Sequence, residues 1–399
     1  MSLISKKLND GQEIEVSVVM PCLNEGESVG VCVAKAYKSL ESLGLKCEII
    51  VVDNGSTDNS KEIAQENGAI VVEQPLKGYG NAYLKGFEAA RGKYIIMGDS
   101  DDTYDFTNLK PWVDALKEEN YDMVMGNRFK GDIIDGAMPW HHKYIGNPIL
   151  SGILKVLFNT SIGDSHCGMR SFKREAIDKM ELKTTGMEFA SEIVIKAVKN
   201  KLKIKEIPIT LNIRGGGAPH LRSFRDGWRH LRFMLMYSPT FLFLIPGIIL
   251  SLLGIFILGG VYFSEDYIFH FLGFKMQLHW MTFASMFLII GYQIINLGFF
   301  TKIFTLISGL DNTDKKITGF LNLFSLEKGL ILGVLLTFIG ILFITNVLFK
   351  YFGWFGMTFN YVVPFEIPNL ILAFNFIIIG MSTIFFSFFY SILGLKYKK

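Results

Sequence analysis

The sequence predicts an α/β domain with a mostly parallel sheet, followed by an all-α domain of four transmembrane helices. Up to about residue 232 charged residues are frequent, whereas beyond it long apolar stretches alternate with short polar connections, as expected where lipid replaces water as solvent. Within the first part, short apolar runs alternate with segments of helical spacing, which is typical of a parallel sheet. We therefore divide the chain into an α/β domain (1–215), a juxtamembrane interfacial helix (216–236) and a transmembrane domain (237–399).

The strands of the predicted sheet are short runs rich in Val and Ile. They are Val16–Met20, Glu48–Val52, Ile70–Val72 and Tyr94–Met97. Helical spacing follows the first two of them, at Ser28–Leu43 and Asn59–Asn67. Because ligands of such sheets bind beyond the carboxyl ends of the strands, the polar residues after each run are the first candidates for a site.

Polar segments follow three of these strands: Pro21–Glu25 (PCLNE), Asp53–Asp58 (DNGSTD) and Gly98–Asp102 (GDSDD). The first two also fit helix caps and turns, which are frequent roles of Asn, Ser and Asp at such places. The third is harder to explain in that way, because clustered carboxylates at the end of a buried strand raise each other's pKa unless a cation or strong donors neutralise them. Hard cations such as Mg²⁺ or Mn²⁺ prefer carboxylate oxygens, so the acidic run predicts a divalent metal site.

Four apolar stretches are near or above the ~20 residues needed to cross a bilayer. They are Tyr237–Phe263, Leu278–Phe300, Leu330–Phe349 and Ile367–Leu395. Lys and Arg cluster before the first stretch, between the second and third, and after the fourth, so the positive-inside rule predicts a cytoplasmic α/β domain and cytoplasmic termini. The segment just before the first stretch separates arginines from apolar residues on a helix, which fits an interfacial helix and equally the positive flank of a membrane span.

Several function classes are disfavoured by composition and by missing motifs. The net charge of +3 is too small to indicate nucleic acid, and the basic segments lie beside apolar stretches, so a membrane surface is the expected partner. Neither the phosphate-binding pattern GxxxxGK[ST] nor GxGxxG occurs, which argues against a kinase and a dehydrogenase. The four cysteines have no CxxC spacing and fit a reducing compartment.

The first domain resembles glycosyltransferase family 2, which has the Rossmann-like GT-A fold, and within it the polyprenyl-phosphate sugar synthases typified by dolichyl-phosphate mannose synthase. The resemblance covers about Val16 to Trp228 and rests on motifs in the family's order: PCLNE, VVDNGSTD, KGYGNAYLKG, AARGKYIIMGDSDD, GNRFKG, CGMRSFKR and GMEFASE. It implies transfer of a single hexose from a nucleotide-sugar (GDP-mannose, UDP-glucose or UDP-GlcNAc) to a dolichyl or undecaprenyl phosphate, with Mg²⁺ or Mn²⁺.

The resemblance also implies which residues bind the nucleotide-sugar donor. They are Pro21, Leu23, Asn24, Glu25, Val51, Asp53, Asn54, Lys77, Gly78, Ser100 and Arg214. Arg214 opens a glycine-rich segment, Gly215–Gly217, which fits either a mobile flap or a plain linker. Asp99 and Asp101 correspond to the two acids of the family's metal motif. Thr103 stands where many members have Gln, so Asp102 or water is an alternative third ligand.

For the acceptor phosphate the resemblance implies Arg128, with Asp101 and Arg128 as the residues on which catalysis depends. Ser151 matches a serine that contacts this phosphate, while Asn147 stands where some members have an arginine. Arg170 is a further candidate, and the basic run His141-His142-Lys143 fits either a replacement cation or a solvated loop.

A lipid phosphate is largely deprotonated at neutral pH, because its second pKa is near ~6, so it can attack the anomeric carbon without a dedicated base. We therefore expect direct, inverting displacement. The rival functions are a processive polysaccharide synthase, whose Q-x-x-R-W motif is absent, and a non-catalytic membrane scaffold, which the acids and Arg128 disfavour. The sequence leaves the monomer and the homo-oligomer equally open.

Overall fold

Seven strands in the N-terminal half of the chain form one sheet. They are β1 (Val16–Cys22), β2 (Cys47–Asp53), β3 (Ile70–Glu73), β4 (Tyr94–Met97), β5 (Met123–Asn127), β6 (Arg170–Lys173) and β7 (Ile204–Pro208). Their order is β3-β2-β1-β4-β6-β5-β7, and only β6 runs antiparallel to its neighbours. The four strands expected from the sequence are present to within two residues at each end, so the prediction of a mostly parallel sheet is confirmed.

The computed structural model describes residues 13–216, 223–307, 326–352 and 363–397. By its internal contacts the chain divides into two units, Met1–Tyr237 and Ser238–Lys399.

Helices in the first unit cover both faces of the sheet. They are α1 (Val29–Ser42), α2 (Ser60–Glu66), α3 (Tyr79–Ala89), α4 (Lys110–Lys117), α5 (Asn147–Phe158), α6 (Arg174–Met180), α7 (Phe189–Lys199) and α8 (Ser223–Met236). Successive residues of β1 point to opposite faces: Val18 packs with α1 and α4 on one side, and Val19 packs with α3 and α7 on the other. This alternation is the period of two that a strand imposes on its side chains, and it explains why β1 is mostly apolar on both faces.

The parallel arrangement decides where the polar loops lie. Strands β1, β2 and β4 run in one direction, and β5 shares it because both β4 and β5 pair antiparallel with β6. The carboxyl ends Cys22, Asp53, Met97 and Asn127 therefore lie at one edge of the sheet, which we call the ligand edge.

The second unit contains four long apolar helices. They are α9 (Ile245–Tyr262), α10 (Leu278–Ile307), α11 (Leu326–Phe352) and α12 (Val363–Tyr397). By length and composition, four helical segments are able to cross a membrane: Thr240–Tyr262, Leu278–Thr305, Leu326–Lys350 and Glu366–Leu393. The prediction of four transmembrane helices is thus confirmed, with spans that differ from the expected ones by a few residues at their ends.

Glycines let these helices approach closely in two pairs. A Cβ atom on Gly254 of α9 would lie 2.7 Å from the carbonyl oxygen of Ala284 in α10, and one on Gly340 of α11 would lie 2.8 Å from that of Ala373 in α12. Hydrogen bonds then join α10 to α12, as in Ser285 to Asn375 at 3.0 Å. In lipid, close backbone packing and hydrogen bonds between helices replace the hydrophobic effect as the force for association.

We predict that Gly254→Ala destabilises the second unit, since the added methyl group would also lie 2.6 Å from the backbone nitrogen of Leu288. The expected cost of such overpacking is about 1–3 kcal/mol. A lower thermal midpoint of the detergent-solubilised full chain would report it. Gly259→Ala, in the same helix with nothing within 4 Å of the added atom, is the matched control. Equal midpoints for the two variants would contradict this packing.

Candidate active site

The loops after β1 and β2 are bound to each other at the ligand edge. The backbone nitrogen of Asn24 donates to Ser56 Oγ at 3.0 Å, and Asn24 Oδ1 accepts from the backbone nitrogen of Thr57 at 2.8 Å. The backbone nitrogen of Glu25 donates to Ser60 Oγ at 2.9 Å. Asn24, whose φ is +57°, therefore joins two loops rather than capping a helix. These contacts form a shared wall from PCLNE and DNGSTD.

Asp53 and Asn54 organise the turns beside this wall. The carboxylate of Asp53 accepts from the backbone nitrogens of Gly55 and Ser56 at 3.1 Å each, and Asp53 is only 2% exposed. Asn54 Nδ2 donates to the carbonyl oxygens of Gln74 and Leu76, while Asn54 Oδ1 accepts from the nitrogen of Gly78 at 2.7 Å. Through Asn54 the loop after β3 is fixed against the end of β2.

The remaining donor candidates differ in exposure. Lys77 is exposed in the loop after β3, and Gly78 has φ +144°, where a Cβ atom would meet the carbonyl oxygen of Thr185 at 2.3 Å. Ser100 Oγ donates to the carbonyl oxygen of Pro21 at 2.6 Å, which ties the acidic loop to the first strand. Leu23 is partly buried, whereas Val51 is buried within β2 and packs in the core.

The acidic run after β4 spreads its carboxylates in three directions. Asp99 accepts from Tyr83 Oη at 3.1 Å. Asp101 accepts from both the hydroxyl and the backbone nitrogen of Thr103, at 2.6 and 3.1 Å. Asp102 has φ +61° and forms an ion pair with Lys35 at 2.7 Å. Asp99 and Asp101, with Thr103 beside them, are thus the oxygen ligands that the loop can offer together.

Burial makes two carboxyl groups of the site, those of Asp99 and Glu25, costly to ionise. Burial first, and then the charge of Asp101, raise the pKa of Asp99 well above its usual range. Burial likewise raises the pKa of Glu25 from 4.5 to about 6, although the guanidinium of Arg214 opposes this shift. A low-dielectric cluster of carboxylates favours a cation that would stabilise the ionised forms.

Arg214 supplies positive charge in this structure. Its Nη1 lies 3.1 Å from Asp101 Oδ2, and its Nη2 contacts Glu25 Oε1. Its Nε donates to the carbonyl oxygen of Gly216 at 2.7 Å. Sequence reasoning placed Arg214 among the donor-binding candidates, and the structure adds the two carboxylates to which it binds.

The oxygen ligands at this loop fit a hard divalent cation that is held by few protein groups. Within residues 13–216 and the other described ranges, no group of three or more His, Cys, Asp and Glu side chains forms a complete metal cage. Asp99 and Asp101 lie one residue apart at the ligand edge. A cation held by two carboxylates completes its shell with water and substrate phosphate oxygens, as Mg²⁺ usually does.

Arg128 directly follows β5 and is bound to a carboxylate that the sequence reasoning did not single out. Asp164 accepts from the backbone nitrogen, Nε and Nη2 of Arg128, at 3.1, 2.7 and 2.8 Å. The Arg128 side chain remains 10% exposed, whereas that of Asp164 is fully buried. This bidentate pair orients the guanidinium, and a small part of the side chain remains accessible.

The other acceptor candidates differ in burial. Ser151 Oγ lies 3.0 Å from Ser165 Oγ, and Ser151 is 2% exposed. Asn147 is partly buried, and its Nδ2 lies 3.5 Å from Met138 Sδ. Arg170 has no exposed surface and donates to three backbone carbonyl oxygens. These belong to Cys167, Ala190 and Ser165. In this conformation Arg170 fixes the loop 163–170 rather than presenting its guanidinium to a ligand.

The loop 163–170 connects the acids to Arg128. It carries Asp164, the partner of Arg128, and Gly168, whose backbone nitrogen donates to Tyr104 Oη at 2.8 Å. A Cβ atom on Gly168 would lie 2.8 Å from Asp99 Oδ2, so the loop backbone packs directly against this acid. Asp164 and Tyr83 both lie inside or beside quoted motifs, but neither a spacing nor a charge pattern marked them.

The comparisons with known proteins agree on one family. A model described as glycosyl transferase family 2 matches residues 17–181, and one for the family's C-terminal transmembrane region matches residues 299–394. The chain is 38% identical over 380 residues to the low-salt glycan biosynthesis hexosyltransferase Agl6 of Haloferax volcanii, covering 95% of this chain and 89% of that protein. It is 31% identical over 228 residues to the dolichyl-phosphate beta-glucosyltransferase of Saccharomyces cerevisiae, covering 50% and 68% respectively.

Among solved structures, the chain is similar to the crystal structure of glucosyl-3-phosphoglycerate synthase from Mycobacterium tuberculosis with Mn²⁺, UDP-glucose and phosphoglyceric acid. The TM-score is 0.46 at 20% identity, over 58% of this chain and 81% of that chain.

The raised pKa of Glu25 predicts a pH-dependent effect of Glu25→Gln on stability in EDTA. The folded state favours the protonated carboxyl, so this stabilising contribution is complete below pH 4.5 and is lost as the pH rises through about 6. The permanently neutral Gln keeps it. Thermal midpoints between pH 4.5 and 7 should therefore show a growing advantage of the variant, by up to about 2 kcal/mol. Glu27→Gln, at an exposed neighbouring position, is the control, and a matching gain there would contradict the assignment to Glu25.

Proposed function

Because the chain belongs to glycosyltransferase family 2, we propose that it transfers a single hexose from a nucleotide-sugar to a polyprenyl phosphate in a reaction that depends on Mg²⁺ or Mn²⁺. The names of its relatives, a hexosyltransferase and a dolichyl-phosphate glucosyltransferase, favour dolichyl phosphate as the acceptor. The observation that carries the proposal is the packing of Gly168 against Asp99, because it joins the candidate metal acids to the loop that holds Arg128.

The donor half of the proposal rests on the shared wall from the first two loops and on the acids beside it. Asp99 and Asp101 would hold the cation, which offsets the charge that the leaving diphosphate gains. Asp53 and Glu25 would face the nucleotide and Lys77 the diphosphate. The connected hydrogen bonds of this wall support a preformed pocket, since its loops need little reordering to bind a ligand.

The acceptor half rests on Arg128. The ion pair with Asp164 holds the guanidinium in a defined orientation, and the accessible tenth of the side chain would contact a phosphate. A phosphate oxygen of the acceptor would attack the anomeric carbon as the bond to the diphosphate breaks, with inversion. Since that oxygen is already largely deprotonated at neutral pH, the protein needs to position and neutralise two phosphates rather than to remove a proton.

A lipid acceptor also requires that the first unit reaches the membrane surface. Helix α5, the turn before it and helix α8 expose large apolar side chains that a domain facing only water rarely shows together. These are Trp140, Tyr144, Ile145, Ile149, Val156, Phe224, Trp228 and Met236. The buried face of α8, with Asp226, His230 and Met234, packs on the domain instead. Exposed Arg225 and Arg232 on α8 add the charge that favours anionic lipid headgroups.

The distribution of Lys and Arg around the four apolar helices supports a cytoplasmic α/β unit and cytoplasmic termini. Under this proposal, the nucleotide-sugar and the lipid phosphate of the inner leaflet would meet at the cytoplasmic face of the membrane.

One experiment separates the proposal from its rivals. The purified full chain in lipid nanodiscs is incubated with labelled GDP-mannose, UDP-glucose or UDP-GlcNAc, with dolichyl or undecaprenyl phosphate, and with Mn²⁺ or Mg²⁺. One sugar per lipid supports the proposal. A long polymer would identify a processive synthase, and no transfer from any donor would favour a non-catalytic scaffold.

In that assay we predict that Asp101→Asn lowers the turnover rate by at least about a hundredfold, because the cation and the diphosphate lose a charged oxygen ligand. Asp105→Asn is the matched control, since Asp105 is exposed and its carboxylate accepts from the backbone nitrogen of Thr107 at 2.8 Å. Metal-independent transfer by Asp101→Asn at the wild-type rate would remove the metal from the proposal.

We further predict that Arg128→Lys raises the KM for the polyprenyl phosphate by about tenfold and leaves the KM for the donor nearly unchanged, because an ammonium cannot reproduce the planar fork. Arg91→Lys tests for general loss of stability, since Arg91 donates from Nε and Nη2 to buried Glu48 at 2.9 and 2.7 Å. Arg91 precedes β4, away from the ligand edge. Equal effects of both substitutions on the acceptor KM would exclude a role of Arg128 in acceptor binding.

A further inference from the structure

The segment after β7 lies along the acidic loop. Leu211 forms an antiparallel bridge with Tyr104, and the backbone nitrogen of Asn212 donates to the carbonyl oxygen of Thr103 at 2.9 Å. The backbone nitrogen of Gly215 donates to the carbonyl oxygen of Asp101, also at 2.9 Å. These contacts hold residues 211–215 over the loop that carries the candidate metal ligands.

Arg214 extends from this segment to two carboxylates at once. One terminal nitrogen lies 3.1 Å from Asp101 Oδ2, and the other contacts Glu25 Oε1. The side chains of Asp101 and Glu25 are only 13% and 8% exposed while the guanidinium contacts them. In the part of the chain that the structure describes, no other Lys or Arg forms an ion pair with either carboxylate.

We propose that Arg214 takes the place of the divalent cation in the ligand-free protein. We call the state in which Arg214 contacts both Asp101 and Glu25 the clasped state, and in it Arg214 and the cation exclude one another at Asp101. Binding of the cation then releases Arg214 and loosens residues 212–216. The diphosphate of the donor, which is rich in negative oxygens, offers the released guanidinium a new partner. Cation and nucleotide would therefore bind cooperatively, and Arg214 sets the strength of their coupling. This inference rests on the proposed function.

Charge repulsion and a shared oxygen atom both favour this exclusion. Asp101 Oδ1 already accepts two hydrogen bonds within its own turn, from Thr103, and Oδ2 is the atom that Arg214 binds. A cation that binds Oδ2 would therefore meet the guanidinium at the same atom. Two positive groups in contact at a partly buried site repel strongly.

The test measures metal binding without any sugar transfer. The full chain in detergent is titrated with Mn²⁺, and free Mn²⁺ is followed by electron paramagnetic resonance, first alone and then with saturating UDP or GDP. Arg214→Gln should bind Mn²⁺ alone about tenfold more tightly than the wild type and should show a smaller gain from the nucleotide. Arg214→Lys should lie between them, because one ammonium cannot bind both carboxylates.

Lys35→Gln is the matched control. Lys35 forms an ion pair with Asp102 at 2.7 Å on the same loop, and it has no ion pair with Asp101 or Glu25 in the described residues. The substitution therefore removes a nearby positive charge and leaves the contacts of Arg214 with Asp101 and Glu25 intact. The Mn²⁺ affinity of this variant should stay close to that of the wild type. If Lys35→Gln increased the Mn²⁺ affinity as much as Arg214→Gln does, loss of any nearby positive charge would explain the effect. That result would overturn the inference.

Hydrogen exchange of the wild-type chain gives a second measurement that needs no variant. Mn²⁺ with nucleotide should increase exchange in residues 212–216, since the amide of Gly215 is held by Asp101 in the clasped state. Unchanged exchange there, or equal Mn²⁺ affinity of wild type and Arg214→Gln, would refute the inference while hexose transfer by the wild type remained intact. If no variant binds Mn²⁺ with either nucleotide, the metal dependence of the proposed function fails as well.

Discussion

The ligand edge depends on one constraint, which is the cost of ionising the partly buried carboxyl of Asp99 at the end of β4. Asp99 is surrounded by Tyr83, the neighbouring charge of Asp101 and the backbone of Gly168, so its charged form needs a positive partner. Basic side chains from other parts of the domain pair with the neighbouring carboxylates. Lys35 pairs with Asp102, whereas Arg214 shares its single positive charge between Asp101 and Glu25. The negative charge left at the site supports the divalent cation that we propose there.

Pairing of charges also explains how the donor diphosphate and the acceptor phosphate could bind at the same edge of the sheet. The pair of Arg128 with Asp164 is held by the loop 163–170, and Arg170 fastens that loop through three carbonyl oxygens. An arginine that appears in the sequence as a ligand candidate thus serves as internal support for another one. Such supporting contacts keep charged groups in place before a ligand arrives, which lowers the cost of ordering them on binding.

Much of the architecture could be predicted because it depends on local periodicity. Runs of Val and Ile fixed the first four strands, apolar length fixed the four spans, and the family resemblance is confirmed by the match over 95% of the chain to a hexosyltransferase. The strands β5 to β7 are more polar at their ends, and β6 runs antiparallel, so no simple alternation of strand and helix marked them. The acids at the end of β4 could be predicted because carboxylates that are adjacent in the sequence are also close together in the structure.

The sequence by itself therefore determined the class of each domain, the membrane spans and the position of the acidic run, since residue spacing and composition encode these directly. Only the tertiary structure decided which charges are paired. Arg214 and Glu25 are 189 residues apart, and Arg128 and Asp164 are 36 apart, so no local pattern could join them. Their pairing follows from the direction of the strands, which brings loops from distant parts of the chain to one edge of the sheet.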